Sequence, residues 1–462
     1  MFATYIQHIL KRVFSSFVFY SKMRFITLIS LTIGSAAALD TLLPLRRRQT
    51  SNPSPILSTR NGVVFETQVQ VNNQTFYLVP DTGSSDLWVP TSKFQCIDPS
   101  NNQPIPQADC HFGTTYSVPN STEYVANQTF GAQYGTGIAL GPVAYADVTL
   151  NGIRVERQKI GLVDRTNEIG NGIGAGTLGL SFPPLTSAHP GNTLDNTTLL
   201  VNRAVYDPVF VTMFKRGLVE PWYSFAIERP IKNSSTSPGG WLGLGQLPPV
   251  AHADSWAVKP IEVTENLPEE LTGGVRQITL MTLTVDGVVW SGPGNGTRIT
   301  NLTTFQAVVD TGNHMNLLPS SIATAINGAF DPPGVFDAES HVYVVDCNAT
   351  TPELGIVLDR QTFWHQQPED FIYSDGNGGC FSSIAPTAED EGIVLNFLGD
   401  AFLRNVVSVY DFGKSEMRFA ARTDGNSSVG GGVSVVYNGM ASSTCGTAWF
   451  LLAAALAIAC WI

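Results

Sequence analysis

Between about Val63 and Ala421 the chain is a succession of short apolar runs broken by Gly, Pro, Asn and Asp. Examples are VVFETQVQV, TFYLV, ADVTLNGIRVERQKIGLV, ITLMTLTVDGVVW and HVYVVD, with a clear period of two in ETQVQV and TLTV. A period of two predicts half-buried β-strands. Asn151-Gly152 and Asp286-Gly287 are dipeptides of tight hairpin turns. Only PVFVTMFKRGL near 208–218 and SSIATAINGAF near 320–330 read as helices. The expected fold class is all-β with a few short helices.

The pattern also occurs twice. Leu78-Val79-Pro80-Asp81-Thr82-Gly83 is followed by Leu178-Gly179-Leu180, and Ala307-Val308-Val309-Asp310-Thr311-Gly312 by Leu398-Gly399-Asp400. Each copy pairs an apolar-apolar-Asp-Thr-Gly turn with a later apolar-Gly turn, and the two aspartates lie 229 positions apart. Two lobes of about 180 residues, each contributing one Asp, fit this spacing. KNSSTSPGG, residues 232–240, is the linker candidate.

The ends read differently from the interior. MRFITLISLTIGSAAALD, from Met23, has a positive start, an apolar run and a small-residue cleavage site, the pattern of a secretory signal. Residues 1–22 are either an upstream start or an extended leading region. Arg46-Arg47-Arg48 is a processing-site candidate, with a solvated charge cluster as the alternative. The last 15 residues, Ala448–Ile462, are apolar, short for a membrane span, and preceded by small residues; they resemble a glycolipid-anchor signal whose tail is removed, with a marginal tail anchor as the alternative. The expected organisation is a signal region over 1–38 and a pro-segment over 39–48. An N-terminal lobe over 49–240 and a C-terminal lobe over 241–425 follow, then a linker over 426–440 and an anchor signal over 441–462.

Composition narrows the function. Charged residues are only 14%, with 26 Lys+Arg against 38 Asp+Glu and a net charge of −12. Residues 1–48 carry seven of the basic residues and one acid, so their removal leaves 19 against 37, or −18. Such a chain is a poor nucleic-acid partner and is suited to acidic surroundings. Nine N-x-[ST] sequons, at Asn73, Asn120, Asn127, Asn196, Asn233, Asn295, Asn301, Asn348 and Asn426, fit a glycosylated surface. The six cysteines are Cys96, Cys110, Cys347, Cys380, Cys445 and Cys460. Removal of the tail leaves four, two per half, with Cys96–Cys110 and Cys347–Cys380 as the economical pairs. No C-x-x-C or H-E-x-x-H supports a metal site, and no cofactor is expected.

Two carboxylates facing each other can activate a water and protonate a leaving amine if one is ionised and one protonated, since like charges so close share a proton. This dyad is the standard illustration of that principle. Glycine after each Asp-Thr lets two main chains approach, and the Thr82 and Thr311 hydroxyls can bond across and fix the turns. Ser84 can hydrogen-bond Asp81.

Asp81-Thr82-Gly83-Ser84-Ser85-Asp86-Leu87-Trp88 and Gln133-Tyr134-Gly135-Thr136-Gly137 resemble the first active-site motif and the flap of pepsin-like aspartic endopeptidases, over about residues 60–422. The resemblance implies a bilobal double β-barrel and a secreted, fungal-type member of the family. It makes Asp81 and Asp310 the catalytic pair, with Thr82, Gly83, Ser84, Thr311, Gly312 and Asn313 supporting them. Tyr134, Gly135, Thr136, Trp88 and His314 then fall in the flap and substrate cleft. The partner it implies is an extended peptide or protein substrate, bound by a monomer that meets membranes only through a lipid anchor or tail.

This chain also departs from the family. Asn313-His314 stands where the family has small hydroxyl residues. Asn313 can still bond Asp310; His314 either alters a substrate pocket, as a cation in acid, or packs away. Pro80 removes a ladder donor beside Asp81. The ten residues Leu39–Arg48 are far shorter than the family's inhibitory segment. The rival function is a protease fold kept as a surface binding protein. A glycosidase would not need two symmetric Gly turns, and no G-x-S-x-G elbow is present.

Overall fold

A computed structural model of the protein describes residues 51–194, 199–231, 234–292, 296–388 and 394–424. The signal, pro-segment, linker and anchor expectations lie outside these residues, as do Cys445, Cys460 and the sequons at Asn196, Asn233, Asn295 and Asn426.

Strands dominate, with three short α-helices among the described residues, Val209–Lys215, Ser320–Asn327 and Asp400–Leu403. The first two fall where PVFVTMFKRGL and SSIATAINGAF place them. The first buries Val209, Phe210, Val211 and Met213. It stops because Gly217 takes φ +67°, with the Leu218 amide donating back to the Met213 carbonyl at 2.9 Å.

The first half forms one extended sheet that runs on into strands from the second. At the join, Ser54–Thr59, Ser237–Leu244, Trp222–Ile227, Val406–Asp411, Glu416–Ala421 and Ala257–Pro260 lie side by side, so the last strands of the chain pair with the first half. Tyr223 and Tyr410 face each other across this pairing, stacked at 4.9 Å. The expected linker 232–240 therefore enters a strand at Ser237, and the division at 240 falls inside a shared sheet. The pairing partners are long-range, so a local Ser/Pro/Gly composition did not disclose them.

The internal repeat is structural. Gln74–Asp81 runs parallel to Gly174–Gly179, which is antiparallel to Leu87–Ile97. Phe305–Val309 runs parallel to Asn396–Leu398, itself antiparallel to Asn316–Leu318. The glycines at these crossings are required by close approach. A Cβ on Gly179 would meet the Asp86 nitrogen at 2.3 Å, and one on Gly399 the Asn313 carbonyl oxygen at 2.2 Å.

Asn151-Gly152 turns a hairpin with both residues at positive φ, 51° and 73°, joining Ile138–Leu150 to Ile153–Thr166. Asp286-Gly287 does not. Thr282–Val285 and Gly287–Ser291 pair in different sheets, and Asp286 instead takes Lys259 Nζ at 2.7 Å and the Asp359 amide at 2.6 Å. Both disulfides, Cys96–Cys110 and Cys347–Cys380, are formed. Of the described sequons, Asn73, Asn120, Asn127 and Asn348 are exposed and Asn301 is half-buried.

Candidate active site

The two Asp-Thr-Gly turns meet at the end of their strands. Each threonine hydroxyl crosses to the other turn. Thr82 Oγ1 donates to the Val309 carbonyl at 2.7 Å and accepts the Thr311 amide at 3.0 Å; Thr311 Oγ1 donates to the Pro80 carbonyl at 2.6 Å and accepts the Thr82 amide at 3.1 Å. All four groups are buried, so the bonds leave no orphans. Pro80 fits without loss: antiparallel pairing with Val64–Val71 ends at Leu78, and the Pro80 carbonyl is used in the crossing.

This grip sets Asp81 against Asp310. A Cβ on Gly83 would lie 2.6 Å from Asp310 Oδ2, and one on Gly312 2.6 Å from Asp81 Oδ1, so each glycine makes room for the opposite carboxylate. Each aspartate accepts its own turn amide at 2.8 Å, from Gly83 and from Gly312. Asp81 also accepts the Ser84 hydroxyl.

Asn313 differs from expectation. Its Oδ1 accepts the Met315 amide at 3.0 Å, closing a local side-chain turn rather than reaching Asp310. The dyad is therefore asymmetric. Burial raises both carboxyls, but Ser84 opposes the rise at Asp81, whereas the charge of Asp81 adds to it at Asp310, which is held well above the ordinary range. The two carboxyls titrate as a pair, and the Ser84 hydroxyl favours the charged form of Asp81.

His314 lies in the same cleft, edge-on to Tyr373 at 4.7 Å, and its Nε2 has no hydrogen-bond partner. Burial, then the Arg404 charge, lowers it to about 4. It is neutral above that pH and is no cation beside the dyad in mild acid.

The hairpin expected to act as a lid is formed by Glu123–Gln133 and Ile138–Leu150, with the Tyr134 amide donating to the Gly137 carbonyl across the tip at 2.7 Å. Gly135 and Thr136 form that tip. Trp88 Nε1 donates to Tyr134 Oη at 2.9 Å, and the rings lie 6.3 Å apart. Trp88 is held from behind by Phe112, edge-on at 6.1 Å. A cleft of about 710 Å³ runs between lid and dyad, lined from both halves of the chain.

Two carboxyls in its wall escaped the sequence reading. Glu168 bonds Thr136 at the tip. Glu66 is 1% exposed, accepts Asn171 Nδ2 at 2.7 Å through Oε1 and leaves Oε2 without a partner. Alternation places Glu66 on the same face as the exposed Gln68 and Gln70, but a loop about 105 positions on covers that end.

Burial raises Glu66 to about 7, and Asn171 and Arg60 only partly offset it. A raised folded pKa means stability is present below the unfolded value of 4.5 and is lost as pH climbs to about 7. Urea unfolding at pH 4 and pH 8 checks this: Glu66→Gln should remove about 3 kcal/mol of the loss on raising pH. An equal pH dependence in wild type and variant would refute it.

Comparison with known proteins agrees with this geometry. Residues 64–422 match the family model described as eukaryotic aspartyl protease. A probable aspartic-type endopeptidase of Aspergillus fumigatus is 36% identical over 378 residues, covering 80% of this chain and 81% of that one. Gastricsin of Homo sapiens is 29% identical, covering 75% and 78%. The crystal structure of an aspartic proteinase from Irpex lacteus superposes with a TM-score of 0.59 at 19% identity, over 82% of this chain and 99% of that one, and so shares the fold.

Proposed function

The chain belongs to the eukaryotic aspartyl protease family, the aspartic-type endopeptidases, and on that premise we propose that Asp81 and Asp310 are its catalytic pair and act in acid. The observation that carries this is the crossed Thr82–Thr311 grip, which places each carboxylate beside the other turn's glycine. Asp81, ionised and steadied by Ser84, takes a proton from a water held between the carboxyls. The water oxygen bonds to the substrate carbonyl carbon, while Asp310 gives its proton to the carbonyl oxygen. The proton now on Asp81 passes to the amide nitrogen, the carbon–nitrogen bond breaks, and Asp310 recovers its proton as the carboxyl product forms. Neither metal nor cofactor enters these steps.

The substrate is an extended peptide in the cleft, covered by Tyr134. Tyr134→Phe keeps the ring and deletes the acceptor of Trp88 Nε1. It should lower kcat/KM by about fivefold, the worth of one hydrogen bond, without moving the thermal midpoint. A full-activity variant would exclude the Trp88 bond from lid placement.

The chain's ends support secretion, processing after Arg48 and a glycolipid anchor, and the four exposed sequons support glycosylation. Cleavage of a mixed peptide library from pH 3 to 7 by secreted protein tests the catalytic reading. Cutting in acid that is blocked by a statine-type inhibitor and absent in Asp81→Asn supports it. A folded protein that cuts nothing at any pH would leave the surface-binding alternative.

A further inference from the structure

We propose that Glu168 is a positioning residue that latches the lid, holding Thr136 and thereby setting Tyr134 over the two aspartates. The inference rests on the lid reading of Tyr134 but not on the dyad being active.

Residues 166–168, at and just beyond the end of the strand Ile153–Thr166, form a bracket under the tip. Thr136 Oγ1 donates to the Glu168 carboxylate, 2.8 and 2.7 Å from its two oxygens. Asn167 Oδ1 accepts the Ile138 amide at 2.6 Å, and Thr166 Oγ1 donates to the Ile138 carbonyl at 2.7 Å. The Glu168 amide returns to Thr166 Oγ1 at 2.9 Å, which orients the bracket itself. A Cβ on Gly137 would meet Asn167 Oδ1 at 2.3 Å, so the tip is seated closely on it. Thr136 is exposed, and among these bonds its own is the one that reaches the far side of the tip. Without it the tip is tied through Ile138, the Tyr134–Gly137 turn and the Trp88–Tyr134 bond.

The latch has a pH sense. The charged and titratable groups facing Glu168 are Arg60, from the turn before Val64–Val71, and Tyr134 on the lid. Burial raises Glu168 to about 7, against the Thr136 bond and Arg60, which favour its charged form. The bond to Thr136 is stronger to a carboxylate than to a carboxylic acid. The latch therefore tightens as pH rises through about 7 and slackens in acid, where substrate must enter and leave.

Hydrogen exchange over residues 133–138 of the secreted protein, compared with wild type at each pH, tests this. At pH 8, Glu168→Ala and Thr136→Ala should each speed exchange there by about tenfold, and the double variant no further. Thr136→Ser should behave as wild type. At pH 5 the difference should shrink, and Glu168→Gln should show no such pH dependence. In peptide cleavage the two alanine variants should raise KM severalfold near pH 7 and by less at pH 5. The same exchange pattern in the Asp81→Asn background separates the latch from the fate of the dyad. Unchanged exchange in Glu168→Ala, additive effects in the double variant, or acceleration spread evenly over the neighbouring strands would overturn the proposal.

Discussion

Asp81→Asn and Asp310→Asn should each lower kcat/KM by at least about 10³-fold while leaving the protein folded. Proton transfer by a positioned side chain is worth about 10²–10⁴, and here each carboxyl serves more than one step. The two losses differ in kind. Asp81→Asn removes the base that takes the water proton; Asp310→Asn removes the proton given to the carbonyl oxygen. Neither should cost stability above pH 5, because each deletes one of two carboxyls that burial makes costly to ionise, the Asp81 charge adding to that cost at Asp310. Inactivity with an unchanged or raised unfolding midpoint would thus mark a chemical loss. The wild-type pH profile should be a bell whose limbs belong to the pair, not to either residue. A variant that retains more than a tenth of wild-type kcat/KM would remove its aspartate from the mechanism.

Thr311→Val should be nearly as damaging, but through the fold. Its hydroxyl accepts the Thr82 amide and donates to the Pro80 carbonyl, both buried. Valine fills the space and orphans both groups. At about 1–3 kcal/mol for each unsatisfied buried group, the loss is about 2–6 kcal/mol. The urea midpoint should fall at an unchanged m-value. Activity should fall about 10²-fold beyond that, since the turns carry Asp81 and Asp310 and a displacement near 1 Å is enough. Thr311→Ser keeps both bonds and should restore stability and rate. If Thr311→Val were as stable and active as wild type, the crossed grip would not be what aligns the dyad.

The asymmetry between the halves of the site bears on both results. Ser84 bonds its aspartate directly, whereas Asn313, its counterpart in the second turn, spends its side chain on the Met315 amide. That difference favours the charged form on Asp81, the sense in which the proposed mechanism uses the pair. His314 is a separate matter: burial and the Arg404 charge lower it to about 4, which disfavours its charged form in mild acid.

Where a feature depends on neighbours in the chain, the sequence by itself determined it. The alternation in ETQVQV, the Asn151-Gly152 turn, the helix ended by Gly217 and the strand–Asp-Thr-Gly units are local, because backbone preference and side-chain period act over a few residues. The doubled motif also disclosed two lobes and the paired aspartates. Tertiary structure alone decided how the side chains at those motifs are used. The grip joins threonines 229 positions apart. Glu66 is buried by a loop about 105 positions away, against its strand's alternation. Asp286-Gly287 crosses between sheets because Lys259 and Asp359 claim its carboxylate. The Ser/Pro/Gly run before 240 becomes a strand because Ser54–Thr59 and Trp222–Ile227 offer edges on both sides. Asn313 could reach either of two partners from its position in sequence, and only the packed turn, with its carbonyl held by the Asp400 amide, chose the Met315 amide. Hydrogen-bond partners and burial are properties of surroundings assembled from distant segments, and no local pattern carries them.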